Sequence, residues 1–356
     1  MDHPRTAGFH HITLVCRNAE NALMVYGGLL GLRLVKRTVS SDDPGAYHLY
    51  LGRGAGEPGT LVALVEWPHA SAGRWGIGGV HHLALGTPGV PELLMWKRRL
   101  TDAGIRVSGP YDRGYFTSIY FADADGQIVE IATEGPGYGI DEPMEALGRE
   151  LKHPPESQLR GHRDEGGIAE HTHAEPVPEI TGKMRLRGIH HISGITDDLS
   201  RAHDFYTEAL GLRLVKRTVN RDDPEHEHHF WAVYDGSAVA PHSAFTLFGW
   251  PSSRRQARPG IGQTHQVAFR ARDEEELGSF RERLREMEVD VTPVLDRVYS
   301  RGFHFRAPDG QLLEIATDGP GFTVDESEDA LGEELSLPPW LEPHRARITG
   351  DLAPLT

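Results

Sequence analysis

One cysteine, Cys16, in 356 residues leaves no partner for an intrachain disulfide, so a disulfide-stapled scaffold is excluded. No apolar run approaches the roughly 20 residues that span a bilayer. The amino-terminal MDHPRTAGFHH also lacks the charged-then-apolar pattern of a secretory signal. Basic residues are few against acidic ones, 37 to 52, and the formal net charge is -15. That balance provides no broad basic face for nucleic acid or an anionic membrane. These absences predict a cytoplasmic enzyme or binding protein with a small-molecule partner, and they leave homo-oligomerisation open. The length exceeds the size at which one core usually stops growing, so two domains are the default expectation.

What the chain does contain is a second copy of itself. FHHITLV at Phe9 returns as IHHISGI at Ile189, and RLVKRTVSSDDP at Arg33 returns as RLVKRTVNRDDP at Arg213, both at an offset of 180 (190 minus 10, 213 minus 33). Later landmarks run at 184: DGQIVEIATEGPGY at Asp125 matches DGQLLEIATDGPGF at Asp309. A few residues therefore enter the second copy between Asp235 and Gly262. Even LGRELKHPP at Leu147 is matched by LGEELSLPP at Leu331. A whole domain is duplicated, which is not the short period of a solenoid.

Each half divides again. FHHITLV alternates as a strand, NAENALMVYGGLLG is helix-like, and LRLVKRTV, AYHLYL and TLVALVEW are β-rich. The third-quarter helix, DDLSRAHDFYTEALG, has Asp and Ser for capping and Gly211 as its stop. In the second quarter, VHHLALG precedes a helix with Pro91 near its start and Gly104 at its end, followed by three more strands. The reading is α+β, four βαβββ modules. Modules 8–68 and 79–135 form a first domain over 8–150, and modules 187–251 and 262–318 form a second over 187–335. Residues 151–186 join them, and 336–356 form a tail. The joining stretch is rich in Pro, Gly, Glu and His without periodicity, which reads as a solvated linker. Nothing in it fixes His153, His162, His171 and His173 in a metal-binding geometry.

Two features carry chemistry. Glu130 and Glu314 each stand alone inside an apolar strand, where a carboxylate is costly unless it is paired, protonated or bound to a cation. Histidine pairs open three strands, His10-His11, His81-His82 and His190-His191. Strand neighbours point to opposite faces, so one histidine of each pair faces a cavity and the other supports it or faces away. Two histidines and one carboxylate around open positions suit Fe(II) poised for oxygen chemistry.

These residues bring the chain to a resemblance. HHIT at His10, RLVKRTVSSDDPGAYHLYLG at Arg33, HHLAL at His81, DRGYFTSIYF at Asp112, EIATEGPG at Glu130 and EPHRARI at Glu342 resemble the vicinal oxygen chelate superfamily, which includes glyoxalase, bleomycin-resistance proteins and extradiol dioxygenases. Within it the likeness is to hydroquinone-type ring-cleaving dioxygenases. It implies modules paired into two cupped mixed-sheet half-barrels around Fe(II), with Mn, Zn or Ni as alternatives, and a small aromatic substrate cleaved with O2.

The family's HHxA histidine and its glutamate normally lie in the fourth module. Here the full set falls in the second, with His82 and, 48 residues on, Glu130, together with Arg113 and Tyr120 at the family's intervals. The fourth module has Gln266, Arg297 and His304 before Glu314. The working site is therefore expected at His82 and Glu130. Its third ligand is His191 if modules 2 and 3 share a cavity, or His11 if consecutive modules do. His11, Gln266 and Glu314 form a degenerate second site. The resemblance gives catalytic roles to Tyr120 and Arg113, and acid-base roles to His190 or His81.

The RLVKRT cations, Arg33, Lys36, Arg37, Arg213, Lys216 and Arg217, are expected to be solvated or paired with acids such as Asp42 and Asp43. His48 and His228 are placed to line the cavities. Two rival functions stand beside the dioxygenase: a glyoxalase-type metal-dependent isomerase or lyase, and a non-enzymatic small-molecule binder.

Overall fold

The structure is a computed structural model that describes residues 3–40 and 43–355. Asp42, expected as a partner of the first RLVKRT cations, lies outside the described residues. Module 1 forms strands β1 (Phe9–Cys16), β2 (Arg33–Val39), β3 (Tyr47–Gly52) and β4 (Leu61–Glu66). Module 2 forms β5 (Val80–Thr87), β6 (Ser108–Asp112), β7 (Thr117–Ala122) and β8 (Ile128–Thr133). A short β9 (Leu151–Lys152) precedes module 3, with β10 (Ile189–Thr196), β11 (Arg213–Asn220), β12 (Asp223–Ala232) and β13 (Ala244–Gly249). Module 4 forms β14 (Gln263–Ala271), β15 (Leu295–Asp296), β16 (Ser300–Arg306) and β17 (Leu312–Pro320).

Helix ends follow the local chemistry. In module 3, the Asp198 side chain accepts from the Ser200 and Arg201 amides at the start of Leu199–Leu210, and Gly211 closes it at φ 68. A left-handed residue is inexpensive only without a Cβ. Pro91 sits in the first turn of Val90–Asp102, where its missing N–H costs no helical bond.

The described chain divides into two compact units that cut across the sequence halves. Unit 1 contains the residues up to Trp75, Asp123–Gln127 and those from Ala257 onward; unit 2 contains Gly76–Ala122 and Ile128–Gln256. Unit 1 holds modules 1 and 4 in one sheet of order β15-β16-β17-β14-β1-β4-β3-β2. Unit 2 holds modules 2 and 3 in a sheet of order β6-β7-β8-β5-β10-β13-β12-β11-β9. In each module the first strand runs parallel to the fourth, and the two modules of a unit join by antiparallel pairing of their first strands, β1 with β14 and β5 with β10. The histidine-pair strands thus lie at the centre of each sheet.

Two expectations are corrected. Lys36 and Lys216 are fully buried, not solvated. In unit 1 Lys36 pairs with Asp325 and Glu326, and in unit 2 Lys216 pairs with Asp141 and with Glu142, the latter at 2.7 Å. A buried ammonium needs such partners, and these come from the segment that follows GPGF or GPGY, not from the DDP turn. The joining segment is also more than a solvated linker. β9 lies parallel to β11, and Lys97 Nζ donates to the carbonyls of Ile168, Ala169 and His171 at 2.8–2.9 Å. His162 and His171 themselves are exposed.

Candidate metal centre

The register of unit 2 brings distant residues into two rows on one face of the sheet. Tyr120 on β7 lies beside Glu130 on β8, Glu130 beside Ala84 on β5, and Ala84 beside His191 on β10. The next row runs from His82 through Ser193 to Thr246 and Phe230. Residues in register, or two apart on one strand, share a face. His82, Glu130 and His191 therefore converge across the β8-β5-β10 seam, and small Ala84 leaves room between them.

The convergence is tight. Nε2 of His82 lies 2.9 Å from Oε2 of Glu130, Nε2 of His191 lies 3.2 Å from the same oxygen, and the two nitrogens are 3.3 Å apart. All three side chains are buried, Glu130 completely. Yet neither carboxylate oxygen of Glu130 has a partner in hydrogen-bond geometry. The nitrogens are close to the oxygen without being directed at it. Burial opposes ionisation of Glu130, but His191 and His82 outweigh it and hold the carboxyl well below its usual range. Burial lowers the His82 pKa against the pull of Glu130.

An ionised, buried carboxylate without hydrogen bonds is costly in isolation. Three donor atoms about 2.1 Å from one centre, at angles between a right angle and tetrahedral, stand about 3.0–3.4 Å apart. The observed spacings match that arrangement. One carboxylate oxygen with two imidazole nitrogens is also a donor set that divalent metals take. The residues present fit a metal ion, and among the described residues no other trio of His, Cys, Asp or Glu does.

The outer histidines orient the inner ones. His81 and His82 share an Nδ1···Nδ1 contact of 2.8 Å, as do His190 and His191. That contact leaves Nε2 of each inner ring facing the centre, the support that metal-binding imidazoles usually have. Burial brings both outer rings down to about 3, so they are neutral. The two differ in what they face. His81 lines a cavity of about 700 Å3 together with His82 and His191, whereas His190 lines a separate one of about 600 Å3 with Tyr138, Met144 and His242.

In the larger cavity the Tyr120 hydroxyl accepts from Arg113 Nη2 at 3.2 Å and from Ser118 Oγ at 3.3 Å, and its ring meets His82 edge-on at 5.6 Å. Phe116, Phe230 and Phe248 supply apolar walls. His228 stacks on Phe248 at 4.0 Å, and its Nε2 lies 2.8 Å from Thr246 Oγ1, which lies 2.7 Å from Ser193 Oγ. Sequence reading placed His228 but missed Ser193, Thr246 and Phe116. A signal was present, since the other copy has Thr13, Ala63 and Ser300 at those positions.

His11 lies in unit 1, beside Gln266 and Glu314. Its Nε2 is 3.5 Å from Glu314 Oε2, and Gln266 Nε2 also donates to that oxygen. Arg297 donates to Oε1 of Glu314, and His304 Nε2 meets Gln266 Oε1 at 2.9 Å. Burial opposes ionisation of Glu314 too, but Arg297, with His11, takes its pKa down to about 2. The carboxylate here is already paired inside the protein. His48 lines a small cavity of about 20 Å3 in this unit.

Fold and site together define a βαβββ-module protein with a buried two-histidine, one-carboxylate centre under an aromatic-walled cavity. The chain belongs to the Glyoxalase/Bleomycin resistance protein/Dioxygenase superfamily, whose sequence profile matches residues 8–131 and 188–315. MhqA of Bacillus subtilis (strain 168), provisionally named a ring-cleaving dioxygenase, is 32% identical over 98% of both chains. The chlorohydroquinone/hydroquinone 1,2-dioxygenase of Sphingobium indicum is 26% identical, over 95% of this chain and 93% of that one. Among solved structures, a provisionally named dioxygenase from Bacillus subtilis superposes with a TM-score of 0.78 at 28% identity, covering 99% of this chain and 98% of the other. Glyoxalase I of Zea mays, at 15% identity and a TM-score of 0.57 over 87% and 92%, shares the fold.

Proposed function

We propose that the chain is an Fe(II)-dependent, extradiol-type ring-cleaving dioxygenase acting with O2 on a hydroquinone- or catechol-like dihydroxyaromatic, with His82, Glu130 and His191 as ligands. The observation that carries this reading is the wholly buried Glu130 carboxylate, its oxygens without a partner in hydrogen-bond geometry among the described residues, within 3.2 Å of two imidazole nitrogens. The relatives' names support the reaction class. The two separate profile matches support reading 8–150 and 187–335 as duplicated domains. Iron held by His82, Glu130 and His191 would supply a route for electrons from an aromatic diol to O2.

The chain's own residues hold the diol and manage its protons. The Tyr120 hydroxyl accepts from Arg113 and Ser118, so its own proton is directed to a third acceptor, a substrate oxygen. Burial raises the Tyr120 pKa, which keeps that proton in place. The Arg113 guanidinium offsets negative charge that grows on the oxygen. With His82 donating its Nδ1–H to His81 Nδ1, the His81 Nε2–H is left on the cavity side to donate a hydrogen bond to a substrate oxygen. His190 acts as a positioning residue through His191. Phe116, Phe230 and Phe248 hold the ring flat and exclude water.

The test is metal analysis of protein purified under nitrogen, followed by oxygen-electrode measurements with hydroquinones and catechols. One metal per chain and one O2 consumed per ring opened are expected. Product without oxygen uptake identifies the glyoxalase-type isomerase instead, and binding without product identifies the non-enzymatic binder.

A further inference from the structure

The wall of the unit 2 cavity is basic in a chain of net charge -15. Four arginines line it, Arg113, Arg160, Arg163 and Arg221, against two acids, Glu165 and Asp222. Both acids are taken by one arginine: Arg163 Nε meets Glu165 at 2.6 Å, and its Nη2 meets Asp222 at 2.8 Å. Arg221 is buried and donates to neutral oxygens, the Gln158 side chain at 3.2 Å, the Tyr115 hydroxyl at 3.3 Å and the Arg113 carbonyl. Those bonds fix its guanidinium, and among the described residues no carboxylate pairs with it, a cost that an incoming anion would relieve. The third nitrogen of Arg163, Nη1, is buried without a hydrogen-bond partner on a side chain only 8% exposed.

These groups share the cavity of the candidate ligands. The Arg163 guanidinium lies 4.3 Å over the Tyr111 ring, Tyr111 is 6.1 Å from Tyr120, and Tyr120 is 5.6 Å from His82. The arginines thus begin two aromatic steps from the candidate ligands, on the walls of one cavity. They are also particular to this unit. Arg160 and Arg163 belong to the segment between the repeats, and Arg221 occupies the place of Ser41 in the first copy.

Resting on the dioxygenase reading of this site, we propose that the aromatic substrate carries a carboxylate, which Arg221 and Arg163 receive with Arg160 beside them, while its hydroxyls face His82, Glu130 and His191. Guanidinium groups take carboxylates through paired, charge-assisted hydrogen bonds, and the net positive wall attracts an anion into the cleft.

The test is calorimetric titration of the purified protein under nitrogen with hydroquinone and with 2,5-dihydroxybenzoate, the same ring plus one carboxylate. The carboxylated ring is expected to bind at least about tenfold more tightly. The ratio should fall toward one in Arg163→Gln and Arg221→Gln. Arg160→Gln, at an exposed position, gives a smaller fall without disturbing the core. Equal affinities for the two rings, or a preference that survives all three substitutions, overturn the proposal. Oxygen uptake on hydroquinone without the carboxylate preference refutes this inference alone. A carboxylate preference lost in the arginine variants, with no oxygen uptake on either ring, upholds the anion subsite and refutes the dioxygenase reading.

Discussion

Units 1 and 2 share one sheet plan and bury the same glutamate at the same place, yet they satisfy it in opposite ways. In unit 2, Arg113 bonds Tyr120, and the Glu130 carboxylate is left facing two imidazoles. In unit 1, Arg297 turns to Glu314 itself. Four exchanges accompany that turn: His82 becomes Gln266, Tyr120 becomes His304, Ser118 becomes Gly302, and Thr246 becomes Ala63. Gly302 makes the room, because a Cβ there would stand 2.5 Å from Glu314 Oε1. Ala63 lacks the hydroxyl with which Thr246 bridges Ser193 to His228 in unit 2, and among the described residues Thr13 Oγ1 and His48 Nε2 have no hydrogen-bond partner. The cavity beside the candidate ligands of unit 2 is about 700 Å3, and one lined by His48 and Arg297 in unit 1 is about 20 Å3. Arginines of the joining segment line the first, whereas Leu337, Pro338 and Trp340 of the tail close on the second. A buried carboxylate needs a cation, and an arginine from the same fold fills that need as well as a metal does, but without chemistry.

The comparison breaks most sharply at the glutamates. Glu130→Ala is expected to lose the metal and to lower oxygen uptake by more than about a hundredfold, as read by metal analysis and an oxygen electrode. Full activity in that variant contradicts the ligand assignment. Glu314→Ala should keep the metal but strand Arg297 as a buried charge, at a cost of about 3–5 kcal/mol in denaturant unfolding. Rebuilding unit 1 as unit 2, with Gln266→His, Gly302→Ser and His304→Tyr together, should raise bound metal from one equivalent toward two. Thr246→Ala, which copies unit 1 into unit 2, should lower kcat/KM about tenfold by releasing His228, and cost about 1–3 kcal/mol through the groups left unpaired.

The smallest effect is in acid. Glu314 titrates at about 2 when folded against 4.5 for its ordinary value. Its ion pair therefore stabilises the fold above pH 4.5, and that contribution is lost as the pH falls from 4.5 toward 2. Glu314→Gln should flatten the acid-unfolding curve over that window.

Much of this was legible in the sequence because duplication doubles every signal. The 180 and 184 offsets exposed four modules, and the 48-residue interval separated His82 and Glu130 from Gln266 and Glu314. Pairing of modules 2 and 3, which the register of β5 and β10 shows, brings His191 to that pair. Features that depend on long-range packing were not legible. Nothing local to RLVKRT says that Lys36 and Lys216 are buried against acids more than 70 residues away in sequence. Nor does the aperiodic, polar stretch after Lys152 announce that Arg160 and Arg163 form a cavity wall, since its placement comes from a two-residue strand and a six-residue helix. Between His190 and His81 the acid-base role stayed open, because strand alternation does not say which cavity the outer residue meets.

The central claim is that one unit holds a metal where the other holds an arginine pair. Its most direct test is an anomalous difference map, at the iron edge, of crystals grown without oxygen from protein loaded with Fe(II). One peak bounded by His82, Glu130 and His191, with Arg297 still on Glu314, is the predicted result. A peak among His11, Gln266 and Glu314, or none beside Glu130, would contradict it.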